Sequence, residues 1–242
     1  MIRLTEASGF ISLSGSEAAI RIACLAAAYG QAPFLQLYTD TESANRLALM
    51  DGVAFFHAPA GVTADWRAFL CMLPEIAVLR TDADTGIAVG RLWGQAAQTG
   101  MTMRYIGHST ESTAQSGLVM PEKLYTLLRG CFSDLPPFAS WYVDVSHRVR
   151  HGLCHIATLT EQGKPVSCAM TLAETPAQVL LGAVCTEPAY RGRGLAQRCL
   201  LSLLQQFPAH ECYLSPASES LQAYYARLGF VPAGTWAIIH RR

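Results

Sequence analysis

From Val179 to Thr186 the chain is an apolar run, and it passes through Glu187-Pro-Ala-Tyr190 into Arg191-Gly192-Arg193-Gly194-Leu195-Ala196. The run reads as a strand, and the residues from Leu195 onward as the start of a helix. A helix start presents backbone N–H groups with no acceptor inside the helix, at the positive end of its dipole. Gly192 and Gly194 let the backbone turn tightly and approach a ligand without a Cβ in between. Arg191 and Arg193 add charge-assisted donors. That combination suits a phosphate or pyrophosphate.

The elements downstream must hold this turn in place. After Gly194, Leu195, Cys199 and Leu203 fall on one stripe with Ala196, Leu200 and Leu204 beside it, the period of a half-buried helix. A short strand follows at 211–214. A second helix, capped by Ser218, carries Leu221, Tyr224, Tyr225 and Leu228 at i, i+3, i+4 and i+7. Gly229 stands where a helix C-terminus is expected, and Phe230 begins another strand.

Strand, Arg191-Gly192-Arg193-Gly194-Leu195-Ala196, helix, strand, then Tyr225-Ala-Arg-Leu-Gly229-Phe230 resembles the GCN5-related N-acetyltransferases, the GNAT superfamily, over residues 121–242. No Gly-x-x-x-x-Gly-Lys-Ser/Thr run exists, which excludes a P-loop, and no dinucleotide fingerprint is matched. The resemblance implies the α/β (α+β) GNAT acyl-CoA N-acyltransferase fold, a mixed and mostly antiparallel sheet flanked by helices. It implies acetyl-CoA as co-substrate, with the pyrophosphate on the backbone of Arg191, Gly192, Arg193, Gly194, Leu195 and Ala196. Pantetheine would pair with the strand end at Ala183, Val184 and Cys185, with a further contact at Ser218.

The reaction implied is direct attack of an amine on the thioester. A backbone N–H near Val184–Cys185 would stabilise the oxyanion, and Tyr225 would protonate the leaving thiolate. A phenol of pKa ~10 protonates a thiolate whose thiol sits near ~8.5 only with help from its surroundings. The chain departs from the family pattern at Ser218, where asparagine is common, and at Leu221, where a small alanine is common. The expected function is acetyl transfer to an amine of a small molecule or amino acid. The other reading is a non-catalytic acyl-CoA-binding regulatory protein that kept the cradle and lost turnover. Tyr225 and an intact 191–196 turn favour the enzyme.

Candidate acceptor groups cluster at Asp144, His147, Arg148, Arg150 and His151, just before a strand at 153–159. Asp144 with His147, Arg148 and Arg150 could recognise an acidic or polar substrate, His147 could act as a base, or the group could be a salt-bridged helix end. Glu174 and Glu187 are the candidate carboxylate bases. His147, His151 and His155 recur every four residues, but Gly152 interrupts a helix between them, so no metal site is expected.

Apolar residues make up 51% of the 242 and charged residues 15%, enough for a sizeable core. The 18 basic and 18 acidic residues cancel, which argues against a nucleic-acid partner, aminoacyl-tRNA included. No apolar run reaches the roughly 18–20 residues that span a bilayer, and the N-terminus lacks a basic-then-apolar signal. No membrane partner and a cytoplasmic location are therefore expected, with a homodimer left open. The eight cysteines are scattered without Cys-x-x-Cys and read as reduced, largely buried thiols.

The polar stretch 107–121 is the best linker, dividing 1–115 from a GNAT domain at 116–242. Before it, helices are expected at 16–29, 64–73 and 85–93, and strands at 34–38, 53–57, 76–80 and 101–106. From Ala64 onward, the helix–strand–helix–strand order repeats the order found after Arg191. A degenerate GNAT-like companion domain is the first reading of 1–115, and an unrelated α/β domain the second. Ala60-Gly61-Val62-Thr63-Ala64-Asp65 stands there in place of the arginine–glycine turn, so no cofactor is placed on it.

Overall fold

The computed structural model describes residues 2–107, 114–116 and 120–241. Most of the linker expected at 107–121 lies outside the described residues. In chain order the elements are β1 (Arg3–Leu4), α1 (Glu17–Tyr29), β2 (Gln36–Thr39), β3 (Arg46–Met50), β4 (Val53–His57), α2 (Ala64–Met72), β5 (Val78–Thr81), α3 (Ala83–Trp93) and β6 (Gln98–Tyr105). They continue with β7 (Gln115–Ser116), α4 (Pro121–Cys131), α5 (Phe138–Arg150), β8 (Ile156–Glu161), β9 (Lys164–Glu174), β10 (Gln178–Thr186), α6 (Leu195–Leu204), β11 (Glu211–Leu214), α7 (Glu219–Arg227) and β12 (Phe230–His240). By contact the chain forms two compact units, Met1–Arg104 with Ser215–Arg242, and Tyr105–Leu214. Residues 215–242, grouped with 116–214 in the sequence reading, thus pack with the first unit.

The first unit is a helix-flanked sheet. β1, β2, β3 and β4 are antiparallel neighbours, β5 runs parallel to β4, and β12 lies antiparallel on β5. The parallel β4–β5 pair needs a crossover, and α2 supplies it. α1 begins where Ser16 accepts the Ala19 N–H, α2 where Thr63 accepts from Trp66, and α3 where Asp82 accepts from Thr85. Leu47, Phe56, Trp66, Leu70, Leu79 and Ile239 form one buried cluster between sheet and helices. β3 is an element missed by the sequence reading, because Arg46–Met50 has no alternation to separate it from the turn before it.

The second unit repeats that plan. β7, β8, β9 and β10 are antiparallel neighbours, and β10 and β11 are parallel across α6. α6 buries Cys199, Leu200, Leu203 and Leu204, the stripe expected from its spacing. α4 and α5 contribute Leu124, Leu128, Trp141 and Val145 to a cluster closed by Ile156, Cys168, Met170 and Cys185 of the strands. The element order β–α–β–β–β–α–β–α–β therefore runs twice along the chain, with a single helix before β2 and a helix pair before β8.

Candidate active site

β10 changes partners along its length. From Gln178 to Leu181 it is sandwiched between β9 and the parallel β11, whose last residue, Leu214, stands opposite Leu181. Beyond that point it continues along β9 alone. Gly182 faces Met170 and Cys185 faces Cys168, so Ala183 and Val184 together oppose the single residue Ala169. This is a β-bulge, and it turns main-chain groups out of the ladder. Ala183 holds φ +49°, a left-handed conformation that costs a non-glycine residue roughly 1–2 kcal/mol. The distorted stretch coincides with the residues the resemblance assigned to pantetheine, Ala183, Val184 and Cys185.

Buried hydroxyls brace the strand just past the bulge. Ser167 donates to the Cys185 carbonyl at 2.7 Å and pairs with the Thr186 hydroxyl at 2.9 Å. The sequence reading passed over both; the available signal was two hydroxyl residues inside otherwise apolar strands. Cys185 has the Cys168 sulfur 3.6 Å away. The hydrogen bond with Cys168 holds the Cys185 thiol below its ordinary pKa, and Arg191 adds to this.

The turn after β10 is fixed by local bonds. Pro188–Tyr190 makes one 3-10 turn, and Arg191 donates from Nε to the Thr186 carbonyl at 3.1 Å. Gly192 and Gly194 have φ +79° and +71°, with open space where a Cβ would stand. The first bond of α6 runs from the Arg198 N–H to the Gly194 carbonyl, and Gly194 provides no side-chain cap. The N–H groups of Leu195, Ala196 and Gln197 therefore have no intrahelical acceptor. Arg193 lies over the Tyr190 ring at 5.2 Å and 3.8 Å from Glu161. Beside the turn a cleft of about 530 Å³ is lined by Lys123, Cys131, Lys164, Glu187 and Pro188 among others.

α7 belongs to the other compact unit. Ser218, expected at a cofactor contact, caps this helix, accepting the Leu221 N–H at 3.3 Å, and it pairs with Ser220. Tyr225 is the buried residue of α7, edge-on to Phe230 and Tyr224. Burial pushes the Tyr224 phenol above its ordinary pKa. Gly229 follows the helix at φ +96°.

The charged segment lies on α5. Asp144 and Arg148 form a bidentate pair, Nε to Oδ1 at 3.0 Å and Nη2 to Oδ2 at 2.6 Å, and Arg148 also donates to the Leu172 carbonyl. The His147 ring lies 4.4 Å from that of His151, the residue that follows the end of α5. His155 lies beyond the helix end and pairs with Glu174 at 2.8 Å. Glu174 is buried, accepting also from the Thr171 hydroxyl and the His155 N–H. Its carboxylate is thus occupied within the sheet, whereas Glu187 lines the cleft.

A bulged strand that loses one neighbour and runs into an uncapped, glycine-formed helix start is a main-chain site for an extended, phosphate-bearing ligand. Residues 122–230 match the model of the acetyltransferase (GNAT) family. Among solved structures the fold is similar to a GCN5-related N-acetyltransferase from Sphaerobacter thermophilus, at 14% identity and TM-score 0.65 over 99% of this chain and 94% of that one. It is similar also to a GCN5-related N-acetyltransferase from Kribbella flavida, at 14% identity and TM-score 0.63 over 94% and 96%. A tandem GNAT protein from the clavulanic acid biosynthesis pathway aligns at 14% identity and TM-score 0.61 over 99% and 97%. No curated protein matches the chain in sequence. The mixed, mostly antiparallel sheet flanked by helices is the fold of these neighbours. Among the described residues, no helix is long and apolar enough to cross a membrane.

Proposed function

We propose that the protein is an acetyl-CoA-dependent N-acetyltransferase whose acceptor is an amine of a small molecule or amino acid. The observation that carries this reading is the Ala183–Val184 bulge in β10, set just upstream of the uncapped start of α6. The residues present fit acetyl-CoA. Unpartnered helix N–H groups suit the pyrophosphate, and a strand that has lost β11 suits the peptide-like pantetheine arm.

When bound, acetyl-CoA supplies an activated acetyl thioester. Arg191 to Ala196 bind the pyrophosphate through main-chain N–H groups, and Ala183 to Cys185 orient the arm as an added strand. A backbone N–H of the Val184–Cys185 stretch stabilises charge that develops on the thioester oxygen. Tyr225 donates the proton that the departing sulfur takes, a role carried by its match to the family motif. The acceptor amine must lose a proton, and Glu187 at the cleft is the carboxylate left for that task, because Glu174 is held by His155 and Thr171.

Residues 1–115 are read as a degenerate GNAT companion to a GNAT domain at 116–242. The doubled element order supports this, as does the similarity to a tandem GNAT structure. In the first unit a cleft of about 360 Å³ lies by the turn after β4 and the start of α3, lined by Ala58, Gly61, Asp82 and Asp84 among others. Asp82 and Asp84 line it and the turn after β4 carries no arginine, so that cleft opposes an anion.

Calorimetric titration with acetyl-CoA, followed by thiol release against an amine panel, tests the assignment. Binding with release for one amine class is expected. Binding without release for any amine would instead favour a non-catalytic acyl-CoA-binding protein, and no binding would overturn the reading of 183–196.

A further inference from the structure

The second unit holds a group of thiols that acetyl transfer does not use. Cys168 on β9 and Cys185 on β10 stand directly opposite each other across the antiparallel pair, on the same face, with sulfurs 3.6 Å apart. Opposed residues in such a pair have Cα atoms about 4.5–5.5 Å apart, inside the roughly 4.4–6.8 Å that a disulfide spans. The pair therefore meets the spacing that a disulfide requires. Cys131, at the end of α4, packs against the cluster that holds both cysteines, donates to the Thr186 carbonyl at 3.8 Å and lines the 530 Å³ cleft. The cleft thus brings solvent to within one thiol of the pair.

We propose that Cys168 and Cys185 form a reversible cross-strand disulfide on exposure to a hydroperoxide. Cys185 is the attacking sulfur: the hydrogen bond with Cys168 holds its pKa down, whereas burial pushes Cys131 up to about 11. The Cys185 thiolate takes one peroxide oxygen, the O–O bond breaks, and the other oxygen leaves as an alcohol with a proton. The sulfenic acid formed on Cys185 is then attacked by the Cys168 sulfur. The S–S bond forms, and the hydroxyl leaves with the Cys168 proton as water. The two thiols lose two hydrogens, and the hydroperoxide is reduced to alcohol and water. The bond closes one residue beyond the Ala183–Val184 bulge and pins β10 to β9 there.

The full-length protein is exposed to hydrogen peroxide, alkylated, and cut after glutamate without reduction. Residues 162–174 then carry Cys168 as their single cysteine, whereas the Glu187–Pro188 bond resists cleavage and leaves Cys185 with Cys199 in the peptide 175–211. The two peptides are expected to run as one cross-linked species, two hydrogens lighter than the sum, that separates on adding dithiothreitol. Free thiols in denaturant fall from eight to six. Cys168→Ala and Cys185→Ala each abolish the cross-linked species, whereas Cys199→Ala leaves it. Recovery of 162–174 and 175–211 from the oxidised wild type as separate peptides with all three thiols alkylated would overturn the proposal. So would 175–211 joined to 123–161, the peptide with Cys131 and Cys154. The readout involves no acetyl-CoA, so its failure is distinct from failure of the acetyltransferase reading.

Discussion

Ser215 donates its hydroxyl to Oε2 of Glu17, a bond between residues 198 positions apart. Oε1 of the same buried carboxylate takes the Arg21 Nε at 2.8 Å. Both oxygens are therefore occupied, and a charge that would be costly alone is compensated.

That compensation has a pH signature. Burial raises the Glu17 pKa, but Arg21 and Ser215 outweigh it and leave the group below its ordinary value of 4.5. In acid the unfolded chain takes up the proton first, so stability present above about pH 4.5 is lost as pH falls through the folded value. Urea unfolding of Glu17→Gln is expected to show a deficit of about 1–3 kcal/mol at neutral pH that shrinks in acid. An equal deficit at both pH values would remove Glu17 from the acid response.

Gly194 opens α6 from a left-handed conformation and faces the place assigned to a pyrophosphate. Gly194→Glu adds a negative charge at that helix start, and measurable acetyl-CoA binding is expected to vanish. Gly194→Asn, which tolerates positive φ, serves as the folded control and retains binding. Equal affinities in the two variants by calorimetry would count against the cradle.

Tyr225→Phe removes one hydroxyl from a buried ring already packed on Phe230. Turnover is expected to fall about tenfold or more, the scale of a lost proton donor, while acetyl-CoA affinity stays unchanged. Unchanged turnover would confine Tyr225 to packing.

Asp144 anchors Arg148, whose side chain is only 11% exposed. Asp144→Asn leaves that guanidinium poorly matched, and a stability loss of about 1–3 kcal/mol is expected. If KM for the acceptor rises while the melting temperature holds, Asp144 binds substrate rather than supporting α5.

The turn at 191–196 was legible because glycine at positive φ and a helix start are local matters, settled by neighbours in sequence. The α6 stripe and the Ser218 cap were legible for the same reason. The Ala183–Val184 bulge was not, since it exists only as a mismatch of register against β9, and alanine gives no warning of a left-handed φ. Glu174 is a candidate base by its chain position at a strand end; its engagement by His155 depends on the start of β8 lying alongside β9.

The sequence by itself determined the family motif, the helix periods and the caps, because each is written in residues a few positions apart. Only the tertiary structure decided which residues pair across strands. It set Cys168 against Cys185, Arg148 against the Leu172 carbonyl, and β12 on β5 within the first unit. Those choices rest on hydrogen-bond register and burial between distant segments, and no local spacing encodes them.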